Sequence, residues 1–252
     1  ISPKQLPWHY LPIWIMITTP LLYVLTFIMG LLVFAKSLLT TPFTVSSDPQ
    51  KRLDVICVLW FFLPLMAVIG LKSVVYDAWR HVFYIYPALL IIALNGLISV
   101  FQGILLPFKG RTSKIVRILL MLIILVSLCG PTYFMITDHP YQNVYFNRLA
   151  GKDMQAVKAN FDLDYWGLSY RQVFEYILQH DPRAKIQITT ENMAVEAIAL
   201  ILTAMERTRI SPAPHLVDAD YFVSNYRGHK DDYPYGQALY AITIEGANIM
   251  VV

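Results

Sequence analysis

The sequence predicts a membrane all-α domain of about four transmembrane helices, followed by a small exoplasmic α/β domain. Hydrophobic residues make up 56% of the chain and charged residues 15%, whereas soluble domains contain about 25% charged residues. The long apolar runs lie before residue 138, and the remainder has an ordinary soluble composition. This break in composition assigns residues 1–137 to a transmembrane domain and residues 138–252 to an α/β domain.

Four apolar segments are long enough to span a bilayer, which requires about 20 mostly apolar residues in a helix. They comprise, approximately, residues 11–35, 53–71, 79–106 and 115–136. Prolines inside them, such as Pro20, predict kinks, because neighbouring helices can satisfy the freed carbonyl groups. The alternative of four buried helices in a soluble protein is disfavoured by the short charged loops between the segments.

The distribution of Lys and Arg predicts the orientation of these segments. The loop between the third and fourth segments contains basic residues and no acid, which indicates a cytoplasmic loop. Its basic residues are Lys109, Arg111, Lys114 and Arg117. Alternation then places Lys36, Lys51 and Arg52 on the cytoplasmic side, and Lys4, Lys72 and Arg80 on the opposite side. We therefore expect the α/β domain to be exoplasmic. The net charge of only +3 gives no support for a nucleic-acid partner.

The α/β domain is predicted from its alternating helix and strand patterns. Ser169 and Gln172 form a capping-box pattern that predicts the start of a helix. The expected elements are a helix over residues 170–180, a strand over 185–190, a helix over 191–207, a strand over 219–225 and a hairpin of 239–245 with 248–252. This order favours a small layered α/β fold.

A basic group precedes the third apolar segment and comprises Lys72, Arg80 and His81. The N-terminus of a helix favours anions, and the planar guanidinium of Arg matches phosphate oxygens. We therefore predict that this group binds a lipid-linked phosphate. In the alternative interpretation, Arg80 pairs with Asp77 or extends to lipid head groups.

Aromatic residues at two places are candidates for a ligand cavity. Trp8, His9 and Tyr10 precede the first segment, where aromatic rings also serve as interfacial anchors. Tyr141 lies just after the fourth segment, in a stretch rich in aromatic and amide side chains. Such side chains suit a sugar or acceptor site; the alternative is that this stretch packs the α/β domain onto its membrane base.

An Asp-x-Asp pair, Asp162 and Asp164, is the candidate for a metal site. Hard carboxylate oxygens suit a divalent cation, and sugar-nucleotide enzymes use such pairs in this way. A turn that packs Phe161 and Trp166 is the alternative. Apart from this divalent cation, the sequence predicts no cofactor.

Three stretches together resemble the later half of membrane glycosyltransferases of the GT-C type. They are Pro7-Trp8-His9-Tyr10-Leu11-Pro12, Trp79-Arg80-His81 followed by Tyr86-Pro87, and His139-Pro140-Tyr141-Gln142 through Tyr165-Trp166-Gly167-Leu168-Ser169-Tyr170. The closest group is similar to glycosyltransferase family 39 in the broad sense, which includes protein O-mannosyltransferases, bacterial aminoarabinose transferases and their relatives.

The resemblance implies transfer of a sugar from a polyprenyl-phosphate donor to a glycan, lipid or protein acceptor at the exoplasmic face of a bacterial inner membrane. It implies that Arg80 binds the donor phosphate, with Lys72 and His81 as further candidates, and that Trp8, His9 and Tyr10 line the cavity. The family's catalytic carboxylate lies in a first exoplasmic loop, which we expect upstream of Ile1.

Two other functions remain open from the sequence. The first is a non-catalytic scaffold or lipid-binding subunit of a larger membrane complex, derived from the same fold. The second is a transporter or flippase, which is disfavoured because no predicted segment carries an acidic residue near its middle.

Overall fold

A computed structural model describes residues 6–40, 48–235 and 237–252. Lys4, which was assigned to the outer side, lies outside the described residues. The chain divides into two compact units. A helical unit comprises Ile1–Tyr133 and Phe146–Leu149, and an α/β unit comprises Phe134–Tyr145 and Ala150–Val252.

Four helical stretches among the described residues are long and apolar enough to cross a membrane, as an integral membrane protein requires. The helices of this region are α1 (Tyr10–Thr18), α2 (Leu21–Thr40), α3 (Pro49–Gly70), α4 (Tyr86–Leu105) and α5 (Gly110–Thr137). A 3-10 turn, Arg80–Ile85, leads directly into α4 and belongs to the third spanning stretch. The prediction of four helices that are long and apolar enough to span a membrane is confirmed.

The first predicted segment, residues 11–35, is not one helix. It is divided into α1 and α2 at Thr19-Pro20, because proline has no N–H and clashes with the preceding turn of a helix. With nine residues, α1 is too short to span a bilayer. The spanning helix is therefore α2, which begins and ends later in the chain than the prediction.

Two small residues bring α2 and α4 into close contact. A Cβ added to Gly30 would lie 2.1 Å from the carbonyl oxygen of Ile92, and one added to Gly96 would lie 2.0 Å from that of Thr26. Small residues allow such approach between membrane helices, where van der Waals packing drives association. The helix pair is therefore specified by the absence of side chains at its crossing.

A polar contact joins α3 to α4. The Asn95 amide donates to Asp54 Oδ1 over 2.8 Å, and Gln50 Nε2 donates to the same oxygen over 3.1 Å. Asp54 lies in the second turn of α3, near its end and not near its middle. Interhelical hydrogen bonds of this kind add specificity to packing within a membrane.

The α/β unit contains short helices and two small sheets. Its elements are α6 (Met154–Asn160), α7 (Ser169–His180), β1 (Ile186–Thr190), α8 (Val195–Ala199), α9 (Ala204–Arg207), β2 (Ile210–Pro212), β3 (Tyr221–Val223), β4 (Ala241–Ile244) and β5 (Ala247–Val251). Within the described residues, β1 lies between β2 and β3 in a parallel sheet, and β4 pairs with β5 in an antiparallel hairpin. A bridge between Ser224 and Val251 connects the two sheets.

Most expected elements of this unit are present, with three differences. The helix expected over 191–207 is two short helices, because Thr203 and Glu206 form a capping box that starts α9. The strand β2 and the helix α6 were not predicted. The capping box expected at Ser169 is absent: Ser169 Oγ donates to the Asp164 carboxylate instead.

Candidate functional site

A cavity of about 170 Å³ in the helical unit brings together residues from two distant parts of the chain. Trp8 and Tyr10 lie just before and at the start of α1, and Ile69, Lys72 and Ser73 lie at the end of α3 and in the loop after it. Aromatic rings and one ammonium group therefore share a cavity whose other walls are largely apolar. Such a mixture suits a ligand with an apolar part and an anionic head.

The start of α1 adds to the positive potential of this cavity. Tyr10 and Leu11 line the wall, and His9, the N-cap residue, makes no side-chain capping bond. The first N–H groups of a helix lack intrahelical acceptors, and the helix dipole is positive at this end. The end of α3, which carries the opposite partial charge, is offset by the ammonium group of Lys72.

The loop after α3 has unusual backbone geometry. Lys72 has a φ of 51°, Asp77 of 56° and Ala78 of 61°. Residues other than glycine rarely adopt this left-handed region, and such residues concentrate at functional sites, where the surrounding structure holds them. The concentration of three in one short loop identifies this loop as a candidate functional element.

Arg80 and His81 lie in a cluster of their own within this loop. Arg80 Nη1 is 3.2 Å from Asp77 Oδ2, and the guanidinium lies over the Tyr76 ring at 4.7 Å from its centroid. The His81 ring packs edge-on against Tyr76, with 4.7 Å between centroids. Neither Arg80 nor His81 is among the described residues that line the cavity. The pairing with Asp77 matches the structural alternative considered for Arg80.

Asp77 is nearly enclosed, with its side chain 7% exposed, whereas the side chain of Arg80 is 37% exposed. The buried carboxylate therefore orients the guanidinium while part of it remains accessible. A guanidinium has five N–H donors, so an ion pair through Nη1 does not use them all. The geometry permits Arg80 to bind a second anion at the surface of the loop.

Two long-range contacts fix the ends of α1 and of this loop. The Trp79 indole N–H donates to Thr18 Oγ1 over 2.9 Å. Asn147 Nδ2 donates to the carbonyl oxygens of Met16 and Thr19, each over 2.6 Å, and its backbone N–H donates to Ile17 over 2.8 Å. These carbonyls are at the end of α1, where Pro20 prevents the helix from continuing. Asn147 therefore supplies hydrogen bonds to the carbonyl groups that lose their helical partners where α1 ends.

Tyr141 lies in the α/β unit and is only 4% exposed. Its hydroxyl donates to Gln172 Oε1, and Gln172 Nε2 donates to the Tyr240 hydroxyl over 2.6 Å. Burial raises the pKa of the Tyr141 phenol, and the negative charge of Asp164 raises it further. The structure thus places Tyr141 in the interior of this unit, and its role in lining a ligand cavity stays a prediction.

The two candidate metal ligands have separate partners. Asp164 is 1% exposed and accepts bonds from the Leu168 and Ser169 backbone N–H groups over 3.1 and 3.0 Å, and from Asn143 Nδ2 over 3.2 Å. Asp162 accepts from Gly228 N over 3.0 Å. The Asp164 carboxylate therefore accepts hydrogen bonds from backbone groups at the start of α7. Within the described part of the chain, no group of three His, Cys, Asp or Glu side chains converges on a shared position.

The sequence predicts three residues of the cavity, Trp8, Tyr10 and Lys72, but not the residues that hold the surrounding loops. Trp79 and Asn147 were noted only as members of longer motifs, and Thr18 was not singled out. The hydrogen bond between Trp79 and Thr18 joins residues that are sixty-one positions apart, so no local sequence pattern predicts it. The break at Pro20 was the one available signal, because it predicts carbonyl groups that need an external donor.

Comparison of the chain with protein-family models, with curated proteins and with solved structures finds no match.

Proposed function

We propose that this integral membrane protein is a glycosyltransferase that moves a sugar from a polyprenyl-phosphate donor to a glycan, lipid or protein acceptor at the exoplasmic face. The observation that carries the proposal is the cavity shared by Trp8, Tyr10 and Lys72. These residues were selected from the sequence for aromatic and phosphate-binding chemistry, and they are far apart in the chain. Their convergence supports a common ligand with an anionic head.

The chemistry follows from the charges at this cavity. When the bond between the sugar's anomeric carbon and the phosphate oxygen breaks, negative charge develops on the lipid phosphate. The ammonium group of Lys72 and the N-terminal end of α1 are placed to stabilise this charge. The acceptor oxygen forms the new bond to the anomeric carbon and loses its proton to a carboxylate. By resemblance, that carboxylate belongs to the first exoplasmic loop of the family.

The proposed orientation follows from the positive-inside rule. Arg111, Lys114 and Arg117 are exposed in the first turns of α5, and we assign this end to the cytoplasm. Alternation along α3, α4 and α5 then places the Lys72 cavity at the opposite face. By resemblance, the setting is a bacterial inner membrane, with the α/β unit in the periplasm.

A second candidate function is a non-catalytic, lipid-binding subunit of a larger membrane complex. The observation that favours it is the ion pair of Arg80 with the nearly enclosed Asp77. Through its ion pair with Asp77, Arg80 holds the loop in place even when no sugar donor is bound. Both functions require binding of a lipid phosphate, but only the glycosyltransferase releases sugar from the donor.

The test uses the full chain in proteoliposomes with polyprenyl phosphates that carry radiolabelled mannose, glucose or aminoarabinose. Two quantities are measured: binding of polyprenyl phosphate by native mass spectrometry, and release of labelled sugar from the donor. The variants are Lys72→Ala and Arg80→Ala. The control is Lys152→Ala, which removes an ammonium group whose side chain is 85% exposed in the α/β unit.

Lys72 lines the cavity, and the resemblance assigns the donor phosphate to Arg80, whose remaining N–H donors are accessible outside the cavity. We therefore expect Lys72→Ala and Arg80→Ala each to weaken phosphate binding about tenfold or more and to abolish transfer, with Lys152→Ala unchanged. Wild-type binding and transfer in both site variants would remove the phosphate-site assignment. Specific binding by the wild-type protein without turnover of any donor would establish the lipid-binding subunit instead.

A further inference from the structure

A second cavity, of about 350 Å³, lies within the α/β unit. Its walls come from β3, from the segment after Tyr226 and from the end of β5. Its volume is within the range of about 300–1,000 Å³ that is typical of small-molecule sites. The residues that carry its chemistry are Phe222, Tyr226, Tyr233, Tyr235, Gln237 and Asn248.

Aromatic rings form one wall in a definite arrangement. Tyr233 and Tyr235 are nearly parallel, with 18° between their planes and 5.8 Å between centroids, and the Phe222 ring is edge-on to both. The Tyr233 ring also stacks with His229 at 4.3 Å between centroids and contacts the tilted Tyr226 ring at 5.7 Å. Tyr235 therefore ends a stack of three rings, and it is 59% exposed. Its accessible surface is a flat aromatic platform.

Local sequence explains why the two tyrosines stand side by side. They flank Pro234, which fixes its own φ and restricts Tyr233 to an extended conformation. In extended chain, residues two apart project to the same side. The Tyr233 hydroxyl is further anchored by Glu191 and, over 2.7 Å, by Ser224 Oγ. The stack is thus preorganised before any ligand arrives.

The two carboxylates that line this cavity already have hydrogen-bond and ion-pair partners. Asp220 Oδ1 is 2.5 Å from Arg183 Nη1, and Asp220 Oδ2 accepts from the Gln187 backbone N–H over 2.7 Å. Asp232 Oδ1 accepts from the Tyr226 hydroxyl over 3.0 Å and is 4.0 Å from Lys158 Nζ. Both carboxylates already have cationic partners. An ammonium ligand would have to compete with these partners, and an anionic ligand would face the carboxylates.

We propose that this cavity binds a neutral saccharide through stacking on Tyr235 and hydrogen bonds to the polar rim. The C–H face of a pyranose ring packs on an aromatic surface, and its hydroxyl groups both donate and accept hydrogen bonds. Gln237 and Asn248 offer amide donors and acceptors, and the paired carboxylates remain acceptors. This site stands whether or not the helical unit transfers sugar.

The test uses the full chain in lipid nanodiscs without any polyprenyl-phosphate donor. Cellotetraose, mannotetraose and N-acetylchitotetraose are offered in turn, and binding is followed by saturation-transfer NMR and calorimetry. Tyr235→Ala removes the platform, and Tyr235→Trp restores one. Met205→Ala is the matched control, because Met205 is an apolar side chain of the same unit that is 82% exposed and does not line the cavity.

We expect at least one of these saccharides to bind, with affinity about tenfold or more weaker in Tyr235→Ala and largely regained in Tyr235→Trp. Met205→Ala and Lys72→Ala are expected to bind as wild type does, which separates this site from the proposed donor cavity. Failure of all three saccharides to bind would overturn the proposal. Equal binding by Tyr235→Ala and the wild-type protein would also overturn it.

Discussion

The Trp79 indole N–H donates to Thr18 Oγ1 over 2.9 Å, and this bond fixes the loop before α4 to the end of α1. Trp79 is buried, and Thr18 Oγ1 also donates to the Trp14 carbonyl over 2.7 Å. The loop that carries Arg80 is therefore held through a short chain of hydrogen bonds. Rigid support of this kind keeps binding groups in position at low entropic cost.

The first prediction is that this bond couples the two residues energetically. Trp79→Phe and Thr18→Val each remove one partner, and we expect a coupling free energy of about 1 kcal/mol in a double-mutant cycle. The measurement is the free energy of unfolding in detergent, followed by circular dichroism. Simple additivity of the two single-variant effects would contradict the bond.

The second prediction concerns the crossing of α2 and α4. Gly96→Ala places a Cβ 2.0 Å from the Thr26 carbonyl oxygen, so the helices must separate, at a cost of about 1–3 kcal/mol or more. Gly103→Ala on the same helix has no atom within 4 Å of its new Cβ and is the matched control. We expect the control to be neutral or stabilised by up to about 1 kcal/mol. Thermal denaturation in detergent compares them, and equal stability of the two variants would contradict the close crossing.

The third prediction separates the two members of the Asp-x-Asp pair. Asp164→Asn turns an amide group toward backbone N–H donors, and we expect a loss of about 2 kcal/mol or more. Asp162→Asn alters a half-exposed contact and should cost about 1 kcal/mol or less. Hydrogen exchange at the first turn of α7 reports the difference directly. Unchanged protection there in Asp164→Asn would argue against the structural role of this carboxylate.

The fourth prediction is a pH dependence of the α/β unit. The side-chain and backbone donors of Arg183, with help from the Tyr221 hydroxyl, hold the pKa of Asp181 well below its usual range. Because the folded state binds this proton less readily than the unfolded state, the contribution to stability is present above the unfolded pKa of about 3.9. It is lost as the pH falls below that value.

Arg183→Gln is therefore expected to destabilise the protein at pH 6 to 7 and to differ less from wild type as the pH approaches about 3. Arg171→Gln is the matched control, because its pair with Glu175 is largely exposed and contributes little. Thermal unfolding across this pH range gives the comparison. A difference between Arg183→Gln and wild type that does not change with pH would refute the assigned cause.

The secondary structure was predictable where the pattern is long or local. Four apolar runs predicted the spanning helices, and the alternating residues of β1 and of the β4–β5 hairpin predicted strands. The strand β2, with three residues, is too short to leave a periodic signal. The sequence predicted a kink at Pro20, whereas the helix ends there. Whether a proline bends or ends a helix depends on the hydrogen-bond donors near the freed carbonyl groups. Here that donor is Asn147, which is distant in sequence.

The candidate site was predictable in its chemistry but not in its arrangement. Residue type and the family resemblance together identified Trp8, Tyr10 and Lys72 as ligand-binding candidates, and the structure brings them to one cavity. The same reasoning grouped Arg80 with Lys72, whereas the structure pairs Arg80 with Asp77. The sequence did not predict the cavity proposed to bind saccharide. Its rings come from β3 and from a later loop, and no sequence pattern indicates that these two segments meet.

The sequence by itself determined that this protein enters a membrane, because hydrophobic transfer depends on the composition of each run and not on its neighbours. It also predicted, from residue type, candidate side chains for an anionic ligand, such as Lys72 and Arg80. Only the tertiary structure decided which of them meet, since the contacts of Trp79 with Thr18 and of Tyr233 with Glu191 join residues that are remote along the chain. Such contacts depend on the folded path of the backbone, which no local pattern encodes.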